Sequence, residues 1–293
     1  MGLGQRARMA QRSKFGFRPT AAKIAAVKRA EVQAANADGS SAGAREEPKE
    51  LRICGLAAVQ ARFARDPASI HRLFYEPAMG PRVGAICKAL ALAKKVYRQV
   101  DGAELEKISG SIHHGGVVAV VALTALRVPT AADLSEWAKR GEVLLVLDRI
   151  GNAHNLGAIA RTAAFFGVPR IVIPQNPTAA RPTEAAHRVA EGGLEHVEVW
   201  QAKSLVAFVR DAVTAGYEVV GAATRGGRPE VPRTNLAKPL ALVLGNEEHG
   251  ISGEVAGECS RLVTIPGSGK MESLNVSVAG AVLMWELLAR RAE

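Results

Sequence analysis

Three cysteines in 293 residues, Cys54, Cys87 and Cys259, stand far apart with no CxxC pair. That scarcity argues against a disulfide-stapled scaffold and a cysteine-based metal centre. It reads as reduced thiols in an intracellular, cytoplasmic protein with no metal. Long apolar runs are also missing. Stretches such as Val117–Leu123 fall well short of the roughly 20 residues that a membrane-crossing helix needs, so no membrane partner is expected. No apolar signal region is expected at the start, because Arg6, Arg8, Arg12, Lys14 and Arg18 interrupt it. Acidic residues are absent from Met1–Ala30, which carries eight lysines and arginines. Of the net charge of +10, this leaves only about +2 for the rest of the chain. The basic character is therefore mainly an arm. A polyanion such as RNA is its natural partner, and a solubilising tail is the plain alternative.

Apolar residues make up 48% of the chain, enough for about two domains over this length. Residues 1–50 are rich in Ala, Arg, Gly and Ser without sustained periodicity, and "AANADGSSAGAREEP" reads as linker. A disordered basic tail is expected there, with a transient helix at most over Ala21–Ala35. Residues 51–127 alternate short strands with helical spacing. "LRICG", "IHRLFYE" and "GGVVAVVAL" predict strands; "LAAVQARFA", "GAICKALALAKKV" and "AELEKIS" predict helices. This is a small α/β domain. Residues 128–141 read as a linker.

A second alternation fills residues 142–293. "EVLLVLD" is a continuous apolar strand, as expected in a parallel sheet covered on both faces. "RIVIP", "YEVVGAAT", "LALVLG" and "RLVTIP" predict further strands. "NLGAIARTAAFFG", "SLVAFVRDAVTAG" and "NVSVAGAVLMWELLARR" predict helices. Three polar stretches follow three of these strands: "GNAHNLGAIART", "GNEEHGIS" and "GSGKMESLN". Ligands of open α/β sheets bind beyond the carboxyl ends of strands, so a shared site is expected where these loops meet. A dinucleotide site is disfavoured, because no GxGxxG follows an early strand.

"NLGAIARTAAFFGV", "LVLGNEEHGIS" and "IPGSGKMESLNVSVAGAVL" resemble, in order, the three signature motifs of the SpoU/TrmH family of RNA ribose methyltransferases, in the SPOUT superfamily. The resemblance covers essentially all of residues 142–291. It implies a parallel-sheet α/β fold with a deep C-terminal trefoil knot, S-adenosylmethionine as cofactor, tRNA or rRNA as substrate, and a homodimer. Residues 51–126 resemble, more weakly, the L30e-like substrate-binding domain often found ahead of such a catalytic domain. His113 and His114 stand where that pattern has His-Gln, and read as turn residues. Gly267 stands where many relatives have Met, and "TEAAHRVAEGGLEHVEV" lacks a Ser-x-Gly-Ala stretch that many carry.

The resemblance assigns cofactor contact to Thr224, Leu244, Gly245, Ile265 and Leu274. It assigns catalytic roles to Asn155, Arg161, Glu247, Ser273 and Asn275. Gly245 would let backbone approach the ligand closely, while Ile265 and Leu274 offer apolar wall. Arg161 is the family's proposed activator of the ribose hydroxyl. A guanidinium is a poor base, and a bidentate grip on an RNA phosphate is its alternative task. Glu247 would orient Arg161 or meet RNA. Ser273 and Asn275 would cap the last helix, meet the ligand, or both. The apolar positions Val278, Val282, Trp285 and Leu288 would either pack within their own domain or supply part of a two-fold interface, across which the resemblance has Arg161 reach a partner's site. The chief functional alternative is a non-catalytic RNA-binding or ribosome-associated protein that retains the fold.

Overall fold

A computed structural model describes residues 50–224 and 239–288, so the predicted basic arm lies outside the described residues apart from Glu50. Glu50 is not tail. It opens strand β1 (Glu50–Cys54) and pairs with Ala122. The small domain continues with α1 (Leu56–Arg65), β2 (Ile70–Tyr75), α2 (Gly80–Leu92), β3 (Val96–Gln99), α3 (Gly102–Ser109) and β4 (Val117–Ala122). Its sheet has the order β1-β4-β2-β3. The valine-rich β4 is antiparallel to both neighbours, and β2 and β3 are parallel. Strand β3 departs from the expected helix over 84–96: the helix stops at Leu92, and all four β3 residues are exposed. An edge strand with no buried residue leaves no hydrophobic alternation to read.

The predicted linker also differs. Residues 128–141 contain a helix, α4 (Ala131–Lys139), opened by a reciprocal cap. Asp133 N–H donates to Thr130 Oγ1 at 3.2 Å and Thr130 N–H donates to Asp133 Oδ2 at 2.8 Å. The helix buries Leu134 and Trp137 against the second sheet, where the Trp137 and Trp200 rings meet edge-on at 5.0 Å. This segment thus belongs to a packed core.

The second sheet is wholly parallel. It comprises β5 (Leu144–Leu147), β6 (Arg170–Pro174), β7 (Glu198–Ala202), β8 (Glu218–Ala222), β9 (Leu240–Leu244) and β10 (Arg261–Val263), in the order β10-β8-β9-β5-β6-β7. The central strands β5 and β9 are buried at every position, as a sheet covered on both faces requires. Around it lie α5 (Ala153–Phe165), α6 (Glu184–Ala190), α7 (Gly193–His196), α8 (Leu205–Thr214), α9 (Gly253–Glu258) and α10 (Val276–Leu288). Helix α5 buries Leu156, Ile159, Ala160 and Ala163, one face at helical spacing. Gly157 allows α6 close to it, since a Cβ there would come within 2.4 Å of the Ala186 carbonyl oxygen.

The end of the chain doubles back. Strand β10 pairs with β8 at the sheet edge, yet α10 packs on α5 and brings Gly280 against Leu244 of β9. The loop from Thr264 to Asn275 must therefore cross the carboxyl ends of β8 and β9. Among the described residues, no helix is long and apolar enough to cross a membrane, and no cluster of His, Cys, Asp or Glu is placed to hold a metal ion. The three thiols are free and half-buried; burial pushes Cys54 and Cys259 up to about 11.

Candidate active site

Because β5, β8, β9 and β10 run parallel, their carboxyl ends lie on one side, and the loops that follow them meet there. A cleft of about 650 Å³ opens between the ends of β8, β9 and β10. All five residues expected to contact a cofactor line it: Thr224, Leu244, Gly245, Ile265 and Leu274. Glu247 and Ser273 line it too, as do Glu272 and the glycines Gly267 and Gly269. Among the described lining residues there are two carboxylates and no lysine or arginine.

Gly245 is also required to be glycine by its own loop. A Cβ there would lie 2.2 Å from Gly250 C and Ile251 N. The close approach comes from the chain's own turn. Asn246 N–H donates to the Gly250 carbonyl at 3.2 Å and Gly250 N–H returns a bond to the Asn246 carbonyl at 2.8 Å. The Asn246 side-chain oxygen accepts from the Glu248 N–H at 2.9 Å, closing the turn from inside.

At the cleft rim three predicted catalytic residues meet. Asn155, in the first turn of α5, donates from Nδ2 to Glu247 Oε1 at 2.6 Å. Asn275 Nδ2 donates to Asn155 Oδ1 at 3.1 Å and to Glu247 Oε1 at 3.3 Å. The Val276 N–H reaches the same carboxylate oxygen at 3.5 Å. Asn275 also caps α10, its Oδ1 accepting from the Ser277 N–H at 2.9 Å. Capping and cluster membership coexist in one residue, because the amide's two ends are used separately.

Arg161 stands apart from this cluster. It projects from α5 into solvent, its Nη1 2.9 Å from Glu191 Oε1. Glu247 therefore orients Asn155 and Asn275, and not Arg161 within the same chain. Ser273 is half-buried in the cleft wall and lies outside the amide–carboxylate ring. His114 is a turn residue, as expected: its Nδ1 accepts the Gly116 N–H at 3.1 Å.

Two supports were not anticipated. Arg149, with a left-handed φ of 58°, donates from Nη2 to the carbonyls of His249 and Gly250 at 3.1 and 2.9 Å. Asp148 Oδ2 accepts the Ser252 N–H at 2.6 Å. Both anchor the 246–252 loop to the end of β5. Nothing local in "LDRIGN" signals a non-glycine residue in left-handed backbone.

A parallel α/β domain with one late cleft and a ring of amides on a carboxylate at its rim defines a class in which several strand-end loops share one ligand site. Residues 142–285 match the SpoU rRNA Methylase family model, and residues 52–124 match a model described as RNA 2'-O ribose methyltransferase substrate binding. The chain is 34% identical over 245 residues to an uncharacterized tRNA/rRNA methyltransferase, YfiF, of Escherichia coli O157:H7, covering 83% of this chain and 69% of that one. It is 32% identical over 246 residues to the 23S rRNA (guanosine-2'-O-)-methyltransferase RlmB of Nitrosomonas europaea, covering 82% and 92%. A solved structure, the AdoMet-bound rRNA methyltransferase from Sinorhizobium meliloti, superposes with a TM-score of 0.68 at 25% identity, over 85% of this chain and 89% of that one. The chain belongs to the SpoU rRNA methylase family.

Proposed function

We propose that this protein transfers a methyl group from S-adenosylmethionine to a ribose 2′-hydroxyl of RNA, and that it does so as a homodimer. The observation that carries the reading is the convergence of Asn155, Glu247 and Asn275 at the rim of a cleft free of lysine and arginine among its described residues. The volume of about 650 Å³ suits a nucleoside-sized ligand. Ile265, Leu274 and Leu244 would supply apolar wall, and the backbone around Gly245 would meet polar edges. When bound, S-adenosylmethionine supplies an electrophilic methyl group on a sulfonium, a cation that Glu247 and Glu272 favour.

The chain's own task is alignment, which dominates a displacement of this kind. Glu247 fixes both asparagine amides. Arg161 would grip an RNA phosphate in bidentate fashion and so place the ribose. The small domain would hold the rest of the RNA. The activity named for the Nitrosomonas relative makes ribosomal RNA the first substrate to try. The non-catalytic alternative is disfavoured by the complete amide–carboxylate ring, which a binding module has no need to keep.

The homodimer reading rests on exposed apolar side chains. Val278, Val282 and Trp285 are 49%, 41% and 55% exposed along one face of α10, and Phe165 at the end of α5 is 82% exposed. A second copy would cover them, and would bring Arg161 of one protomer toward the cleft of the other. Leu288 instead packs against the protomer's own core. A C-terminal trefoil knot goes with the family reading, and the doubling back of β10 and α10 supports it.

The test is to incubate the full chain with S-adenosylmethionine and unmodified ribosomal RNA or tRNA. Nucleoside mass spectrometry then looks for a 2′-O-methylated nucleoside, with calorimetry of cofactor binding alongside. A new ribose methyl is expected. Cofactor binding without any ribose methylation would favour the non-catalytic reading.

A further inference from the structure

Arg161 stands against a five-residue segment, Glu191 to Glu195, that touches it in two ways. The first contact is the ion pair of Arg161 Nη1 with Glu191 Oε1 at 2.9 Å. Glu191 follows α6 in left-handed backbone, φ 44° and ψ 43°, and is followed by Gly192. Glycine would adopt that conformation without a Cβ penalty, so a carboxylate there needs a reason. The second contact is backbone. A Cβ on Gly193 would come within 2.7 Å of Arg161 Cα, so α7 presses directly on α5 beneath the arginine.

The other end of the segment is locked to the small domain. Glu195 is fully buried, its Oε1 accepting from Arg62 Nη2 at 3.0 Å and its Oε2 2.7 Å from Arg62 Nε. Arg65 Nη1 donates to the carbonyls of Leu194 and Glu195, both at 3.3 Å. Gly192 lies against Ala58 of α1, where a Cβ would meet Ala58 Cα at 3.2 Å. One short segment thus joins the domain matched to RNA substrate binding with the side chain and backbone of Arg161.

We propose that Glu191 is a positioning residue for Arg161, kept in place by the buried Arg62–Glu195 pair. This rests on reading Arg161 as the phosphate clamp of an RNA methyltransferase. A guanidinium held at Nη1 still has its Nε–Nη2 edge for a bidentate phosphate contact. Held in advance, the long side chain loses less freedom when RNA arrives. The pair is exposed and adds little stability, so its effect is on geometry. Through Glu195 and Arg62, the RNA held by the small domain and the arginine that receives it share one frame of reference.

In the full-length protein, Glu191→Gln should lower kcat for RNA methylation about tenfold, and Glu191→Asp should recover part of the loss. The Kd for S-adenosylmethionine and the melting temperature should stay at wild-type values. In an Arg161→Lys background, Glu191→Gln should add nothing further, because the two residues act as a unit. An unchanged or raised kcat in Glu191→Gln would overturn the proposal. A second readout needs no turnover. The Arg161 Nε–Hε NMR signal should be ordered in wild type, mobile in Glu191→Gln and ordered again in Glu191→Asp. Equal mobility in all three would equally overturn it. If the wild-type protein methylated no RNA, the methyltransferase reading would fall by itself, and the NMR comparison would still decide what Glu191 does.

Discussion

The side-chain amide of Asn155 donates to Glu247 across 2.6 Å, although the two residues stand 92 positions apart. The contact joins the first turn of α5, which follows β5, to the loop after β9, and Asn275 completes it from the third strand-end loop. Asn155→Ala removes both the donor to Glu247 and the acceptor for Asn275. Methyl transfer should fall about a hundredfold, the scale of a roughly 1 Å misplacement. Cofactor affinity should be retained, because Asn155 does not line the cleft. A rate assay on RNA paired with calorimetry checks both halves.

Gly245→Ala tests the turn. Its Cβ would fall 2.2 Å from two backbone atoms that no side-chain rotation can move. The 246–250 turn must open, at a cost of about 1–3 kcal/mol. We expect a lower melting temperature together with weaker cofactor binding. Wild-type values for both would show that the turn accommodates a side chain.

His187 carries a pH signature. It is buried beside Arg62 and Arg65, with Glu195 Oε1 3.5 Å from its Nδ1, and burial is the largest influence pushing its pKa down to about 3. The unfolded chain binds a proton below about 6.5 while the folded chain does not. Stability is therefore lost as pH falls from 6.5 toward 3. From this residue the loss should reach about 1.4 kcal/mol by pH 5.5. Burial raises the pKa of Glu195, which acts with the opposite sign, so the comparison must be with a variant. Denaturant melts of wild type and His187→Gln at pH 7.5 and 5.5 should differ by that amount.

Much of this was legible in the sequence. The buried strands β4, β5 and β9 read directly, because every position is apolar. The three strand-end loops point to one site, and the five residues expected to contact a cofactor line one cleft. Helix α4 is legible in retrospect, because Thr130 and Asp133 form a capping signature ahead of Leu134 and Trp137. Strand β3 was not legible, since it buries nothing. Nor was the pairing of Arg161 with Glu191, which depends on how α6 and α7 fold back on α5. Nor was the second constraint on Gly245, since the atoms nearest its missing Cβ belong to residues 250 and 251 of its own loop.

The shared-site reading makes a quantitative prediction. Arg161→Ala and Asn275→Ala homodimers should each be inactive. After subunit exchange about half the dimers are mixed, and each mixed dimer has one intact site of two. About a quarter of wild-type activity should return. Verified mixing with no recovery would place each site within one protomer.

RNA ribose methylation is tested most directly by a map of 2′-O-methylation in total cellular RNA with and without this protein. At least one ribose methyl, in ribosomal RNA or tRNA, should disappear with the protein. It should return with the wild-type chain and not with Asn155→Ala. Identical maps, with the protein shown to be expressed in the cells compared, would contradict it.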